Sequence, residues 1–186
     1  MTAIVITGLV LILVAGVTFY NRLVQKRNRV TTAWSDIGVQ LQRRHDLIPR
    51  LVAAVDQYAQ YEKATLEAVS ELRAQAMQAA DVREKGRLEE KLKSGLERII
   101  ALAEDYPDLK ANENFLKLQG ELVETENYLQ FARRFYNGSV RDYNTLTETV
   151  PANIIANAFN FLRKDYFQKS SDEAANVPLV DLGTVE

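Results

Sequence analysis

Residues 3–20 read AIVITGLVLILVAGVTFY without one charged side chain, and no other feature of the chain restricts its fold so strongly. A helix over that run rises about 27 Å at 1.5 Å per residue, close to the thickness of a bilayer's hydrocarbon core. In lipid every backbone polar group needs a partner within the segment, which a helix provides and an open strand does not. A cleaved signal peptide would have a basic n-region, a shorter apolar run and a small-x-small cleavage site, and these are missing here. Residues 1–21 are therefore expected to be a transmembrane anchor that contacts the lipid bilayer through residues 3–20.

The segment that follows, residues 22–29, carries Arg22, Lys26, Arg27 and Arg29 with no acidic residue among them, whereas Met1 and Thr2 carry no positive side chain. By the positive-inside rule this basic juxtamembrane stem stays in the cytoplasm and the N-terminus lies outside. The same four cations can rest on anionic headgroups, each adding about 1 kcal/mol near the surface.

Beyond the stem, apolar residues recur every three or four positions. They run through Val30, Trp34, Ile37 and Leu41, then Ile48, Leu51, Val55 and Tyr58, as one face of a long first helix. The seam keeps its register across Pro49, so a kink, or a brief restart capped by Asp46, is expected there, with the helix running on to about Ala80. A second helix over about residues 82–105 has a narrow stripe of Leu88, Leu92, Leu96 and Ile99 among dense charge. After the break at Tyr106-Pro107, Asn112 is placed to cap a third helix whose seam is Phe115, Leu122, Leu129, Tyr136, Val140 and Tyr143. A short fourth helix, about residues 152–166, is expected to bury Ile154, Ile155, Ala158, Phe159 and Leu162. The expected fold is all-α: the anchor, then an antiparallel bundle of about four helices over residues 30–167, then a polar tail over residues 168–186. The membrane-proximal stripe of Val30, Trp34, Ile37 and Leu41 lies beyond the reach of a short second helix. Either a second copy of the chain or the fourth helix and tail must cover it, so a homo-oligomer is one expectation.

Two polar clusters interrupt these seams. Arg43, Arg44, His45 and Asp46 fall in the step between Leu41 and Ile48; Glu126 and Arg133 occupy seam steps of the third helix, flanked by Asn137 and Asn144. Charge on a core stripe is costly unless paired, so Glu126 and Arg133 are expected to have partners inside the bundle. Such residues either fix helix register or line a ligand pocket, and the first is the better-motivated role. With one histidine, no cysteine and no Glu-x-x-His pair, the chain offers no zinc or di-iron ligand set, and no phosphate loop or nucleophile elbow occurs, so no cofactor is expected. A net charge of -2 argues against nucleic acid as a partner.

The run RNRVTTAWSDIGVQLQRRHDLIPRL at residues 27–51 closely resembles the first signature of the LemA family, bacterial membrane-anchored helical proteins. YPDLKA at 106–111, LVETEN at 122–127, ARRFYN at 132–137, Tyr143-Asn144 and PANIIA at 151–156 resemble its later motifs, in order. The resemblance implies a helical cytoplasmic domain behind an N-outside anchor in the bacterial inner membrane. It implies no reaction.

The leading functional expectation is a membrane-anchored interaction or scaffold protein without catalytic activity, bound to protein partners of unknown identity. One alternative is an enzyme or ligand-binding module built on the Arg43, Arg44, His45 and Asp46 cluster with Arg133 and Asn137. Another is a lipid-sensing or membrane-shaping protein that uses the basic stem.

Overall fold

The structure, a computed structural model, describes residues 1–167; the tail expected over residues 168–186 lies outside the described residues. Helix α1 is continuous over Thr2–Asp56, about 80 Å at 1.5 Å per residue. Its first third is the apolar run, near the N-terminus and long and apolar enough to cross a membrane. A 3₁₀ turn, Gln60–Glu62, leads into α2, Lys63–Gln78. After that come α3, Val82–Leu102, the single turn α4, Pro107–Lys110, the 36-residue α5, Glu113–Glu148, and the 7-residue α6, Ala152–Ala158. No strand occurs among the described residues.

The first helix ends at Asp56, well short of Ala80. Tyr58 and Ala59 both donate to the carbonyl of Val55, and Ala59 is fully buried in the turn that sends α2 back along α1. Pro49 neither breaks nor restarts α1, and Asp46 caps nothing: it is exposed and accepts from Gln42. A proline inside a helix leaves the carbonyl four residues earlier without its donor. Here that carbonyl belongs to His45, and Arg73 of α2 fills the vacancy with a 2.7 Å hydrogen bond from Nε.

Asp81 caps α3 by accepting from the amides of Arg83 and Glu84, and Asn112 caps α5 by accepting from Phe115. Two cores result. The membrane-distal core gathers α1, α2, α3 and α5 around Ile48, Leu51, Val69, Leu92, Ile99 and Phe115. Gly95 allows α2 and α3 to come close, because a Cβ there would meet Val69 at 2.8 Å.

The membrane-proximal core gathers Leu23, Val30, Ile37, Leu129, Tyr136 and Tyr143 from α1 and α5, with Ala156 from α6 and Phe161 and Phe167 from the chain after it. The third helix, running back along α1 almost to the anchor, covers the stem stripe. Trp34 lies against Tyr136 and Phe167, with ring centroids 5.3 and 5.6 Å away. The seam for which either a second copy or the fourth helix and tail was the expected cover packs against α5 and Phe167.

The fourth helix is shorter than expected, and of the five residues expected on its apolar side only Ile155 packs, partly buried, against the core. Asn160, at φ 57, ends α6: Phe161 donates to Ala156 and Asn160 to Asn157, the paired bonds of a Schellman cap. Ala152 and Ala156 face inward, whereas Ile154, Phe159 and Leu162 are exposed.

Candidate functional site

Where the two cores meet, α1, α3 and α5 each place a charged residue inward. Arg44 and His45 of α1 are buried, and Glu89 of α3 is completely so. Arg44 pairs with Glu89 through Nη2, reaches Glu126 of α5 through Nη1 at 2.9 Å, and also meets the Glu89 carbonyl at 3.3 Å. His45 Nε2 is 2.9 Å from the other carboxylate oxygen of Glu89. Burial pushes the Glu89 carboxyl up, but the His45 hydrogen bond and the charges of Arg44 and His45 outweigh burial and hold it below the ordinary value of 4.5. Arg133, two turns along α5 from Glu126, is 3.7 Å from Glu90, and its guanidinium lies 5.3 Å from the ring centre of Phe167. Burial lowers its pKa, opposed chiefly by Glu126.

A second polar arrangement lies toward the membrane. The chain after Asn160 runs along the groove between α1 and α5 as an irregular strap, whose backbone groups have no helix or sheet to bond with. Asn144 accepts from the Lys164 amide and donates to its carbonyl, both at 2.9 Å; one heptad earlier Asn137 does the same for Phe167, at 2.9 and 3.0 Å. The preceding tyrosines add Tyr136 to the Asp165 carbonyl at 2.8 Å and Tyr143 to the Leu162 carbonyl at 2.9 Å. Burial, with the nearby Asp165 carboxylate, pushes the Tyr136 phenol up to about 12, so it stays a donor at any physiological pH. Arg83, at the start of α3, pairs with Asp165 on the strap's outer side.

The model of the LemA family matches residues 33–182, which takes in both polar arrangements and leaves out the anchor. The chain belongs to the LemA family. It is 26% identical over 166 residues to Protein LemA of Metamycoplasma hominis, covering 87% of this chain and 74% of that one. It is 25% identical over 187 residues to Magnetosome protein MamQ 2 of Paramagnetospirillum magneticum, covering 87% and 68%. With Magnetosome protein MamQ of Magnetospirillum gryphiswaldense the figure is 23% over 206 residues, covering 97% and 75%.

In this LemA-family chain the residues of the two expected polar clusters divide among three places. Arg44, His45, Glu126 and Arg133 meet in the buried network; Asn137 and Asn144 hold the strap; Arg43 and Asp46 are exposed beside a shallow groove shared with Glu121, Glu124 and Tyr128. Among the described residues, what the two clusters share is the buried charge network. Glu89 was not singled out from the sequence, because residues 81–98 read as a solvated face. The signal is there: one heptad back from Leu96, and three residues back from Leu92, the buried stripe reaches Glu89. The basic stem is engaged as well: Lys26 bonds Asp142 at 2.9 Å, and Arg27 and Arg29 lie over Phe161 and Phe135, each at 5.1 Å. Arg22 is exposed.

Proposed function

We propose that this LemA-family protein is a membrane-tethered, non-catalytic interaction scaffold, with its N-terminus outside the bacterial inner membrane and its bundle in the cytoplasm. The observation that carries the proposal is a solvent-facing aromatic stripe on α5. Tyr128, Phe131 and Phe135 are exposed at three- and four-residue steps, with the guanidinium of Arg134 4.7 Å from the centre of the Phe131 ring and that of Arg29 over Phe135. Aromatic residues and arginine are the types enriched at protein interfaces, and an exposed cluster of this kind marks a partner site. The absence of a catalytic role is supported by where the polar groups point: the most desolvated of them, Arg44, His45 and Glu89, bond one another inside the bundle. The four basic residues after the anchor support the orientation.

Proximity labelling in living cells with a C-terminal tag tests the scaffold reading, with a Phe131→Ser/Phe135→Ser chain as comparison. Partners enriched by the wild-type protein should be lost with that variant, and identical sets would overturn the reading. For orientation, an impermeant thiol reagent on intact cells should label Thr2→Cys and miss Ser94→Cys; the opposite pattern refutes it.

A further inference from the structure

We propose that the corner between α5 and α6, together with the first residues of the strap, is a second membrane-seating element that dips into the leaflet from which the anchor emerges. The inference rests on residues 3–20 crossing the bilayer and goes beyond it, since it concerns the other end of the folded domain.

The corner exposes large apolar side chains that a water-facing surface would not keep together: Val150 is 79% exposed, Ile154 64%, Phe159 61% and Leu162 67%. Their position along α1 says what covers them. Position 16 of the uncharged run faces Ile155, whose Cδ1 would lie 3.9 Å from a Cβ added to Gly16, and Tyr20 meets the rings of Phe159 and Phe161 at 4.9 and 5.7 Å. Ile155 thus sits about four residues inside the end of the anchor, about 6 Å along a helix rising 1.5 Å per residue. An interfacial amphipathic helix buries its apolar face roughly 5–10 Å into the headgroup and acyl boundary. The anchor therefore brings α6 to the depth at which its exposed face meets acyl chains.

Charge agrees with that depth. Arg22, Arg27, Arg163 and Lys164 are exposed around the corner, at the level of the headgroups, whereas the acids there are paired, Glu148 with Arg163 and Asp142 with Lys26, both at 2.9 Å. A tethered protein with this second contact lies at a set angle and height on the membrane.

The chain has no cysteine, so single cysteines at Ile154, Phe159 and Leu162 can each carry an environment-sensitive fluorophore. The full chain is reconstituted in phosphatidylcholine vesicles with phosphatidylglycerol. Lipids bearing a nitroxide near the headgroup should quench these positions several-fold more than a label at Glu104, on the far end of the bundle, with blue-shifted emission. Labels that stay water-like, or that are blue-shifted but untouched by the lipid nitroxide as under a protein partner, overturn the proposal. A label at Leu13, quenched by a nitroxide deep in the chains, reports the anchor separately: if Leu13 is quenched and the corner is not, only this proposal falls, and if neither is quenched, the spanning reading falls with it. Because the substituted side chains are exposed, folding should survive at two or more of the three positions, as checked by the emission of Trp34.

Discussion

The membrane-distal and membrane-proximal halves of this bundle meet the same need, burial of one long helix face, by different chemistry. In the distal half four helices surround a mainly aliphatic core, and the helices satisfy their own backbone except at the His45 carbonyl freed by Pro49, where Arg73 of α2 donates. In the proximal half α1 and α5 are joined by the short α6, and the rest of the third wall is an irregular strap with aromatic anchors. A strap has no internal hydrogen bonds, so Asn137, Asn144, Tyr136 and Tyr143 of α5 must provide them. Apolar periodicity mainly builds the distal half; the proximal half depends on paired amides and phenols at defined positions.

The largest loss is expected at the junction of the halves. Glu89→Ala leaves His45 without its carboxylate and Arg44 with Glu126 alone, and removing one partner of a buried pair costs about 3–5 kcal/mol. Denaturant melts of the full chain in detergent micelles, followed by circular dichroism, should show it. The charge also sets a pH dependence. Because the folded-state pKa of Glu89 lies below its ordinary value of 4.5, its contribution is complete above that value and is lost as pH falls through the lower folded value. Glu89→Gln should flatten this acid limb, and an unchanged limb would mean that another carboxylate controls it.

Next come Leu92→Ala in the distal core and Leu129→Ala in the proximal one, both fully buried, each expected to cost about 2–5 kcal/mol. The comparison is sharpest if Trp34, the chain's one tryptophan, is read beside circular dichroism. Trp34 reports the proximal half through Tyr136 and Phe167. Two transitions that separate in Leu129→Ala would show that the halves unfold independently; coincident ones would show a single cooperative unit.

Asn144→Ala removes both bonds to Lys164 and leaves backbone groups unpaired, at about 1–3 kcal/mol per unsatisfied group. The expected phenotype is local: strap amides exchange faster with solvent and Trp34 emission moves, while helix content stays. Loss of helix content instead would show that the strap is integral to the bundle.

These contrasts also explain what was legible beforehand. Long helices announce themselves by period, so α1, α3 and α5 and the seam from Phe115 to Tyr143 follow from apolar spacing alone. The end of α1 at Asp56 was hidden because Gln57 and Tyr58 favour no particular break, and tertiary packing of Ala59 decides it. The strap was hidden for a different reason: Ile154, Phe159 and Leu162 fit a helical stripe, and only the left-handed Asn160 diverts the chain. Of the candidate site, the pairing of Glu126 and Arg133 was readable from the cost of burying charge. Glu126 meets Arg44, which the sequence already singled out, but Glu90, the partner of Arg133, and Glu89, the partner of Arg44 and His45, were hidden in a segment whose charge density resembles a solvated surface.

The smallest effect is expected at Lys26 and Asp142, the ion pair joining the stem to α5. Both side chains are more than a third exposed. Its 2.9 Å hydrogen bond holds the Asp142 carboxyl below the usual carboxylate range, so like Glu89 it contributes stability that is lost toward acid. An exposed pair contributes only about 0.2–1 kcal/mol, however, and about 10 Å of screening length at 0.1 M salt weakens it further. Asp142→Asn should therefore shift stability slightly at low ionic strength and hardly at all at high salt, whereas the Glu89 acid limb, shielded from ions by burial, should persist at both. Melts of wild type, Asp142→Asn and Glu89→Gln across pH at two salt concentrations make the distinction. If the Glu89 limb vanishes with salt, the junction is open to solvent and the two halves are not separated by a dry layer of charge.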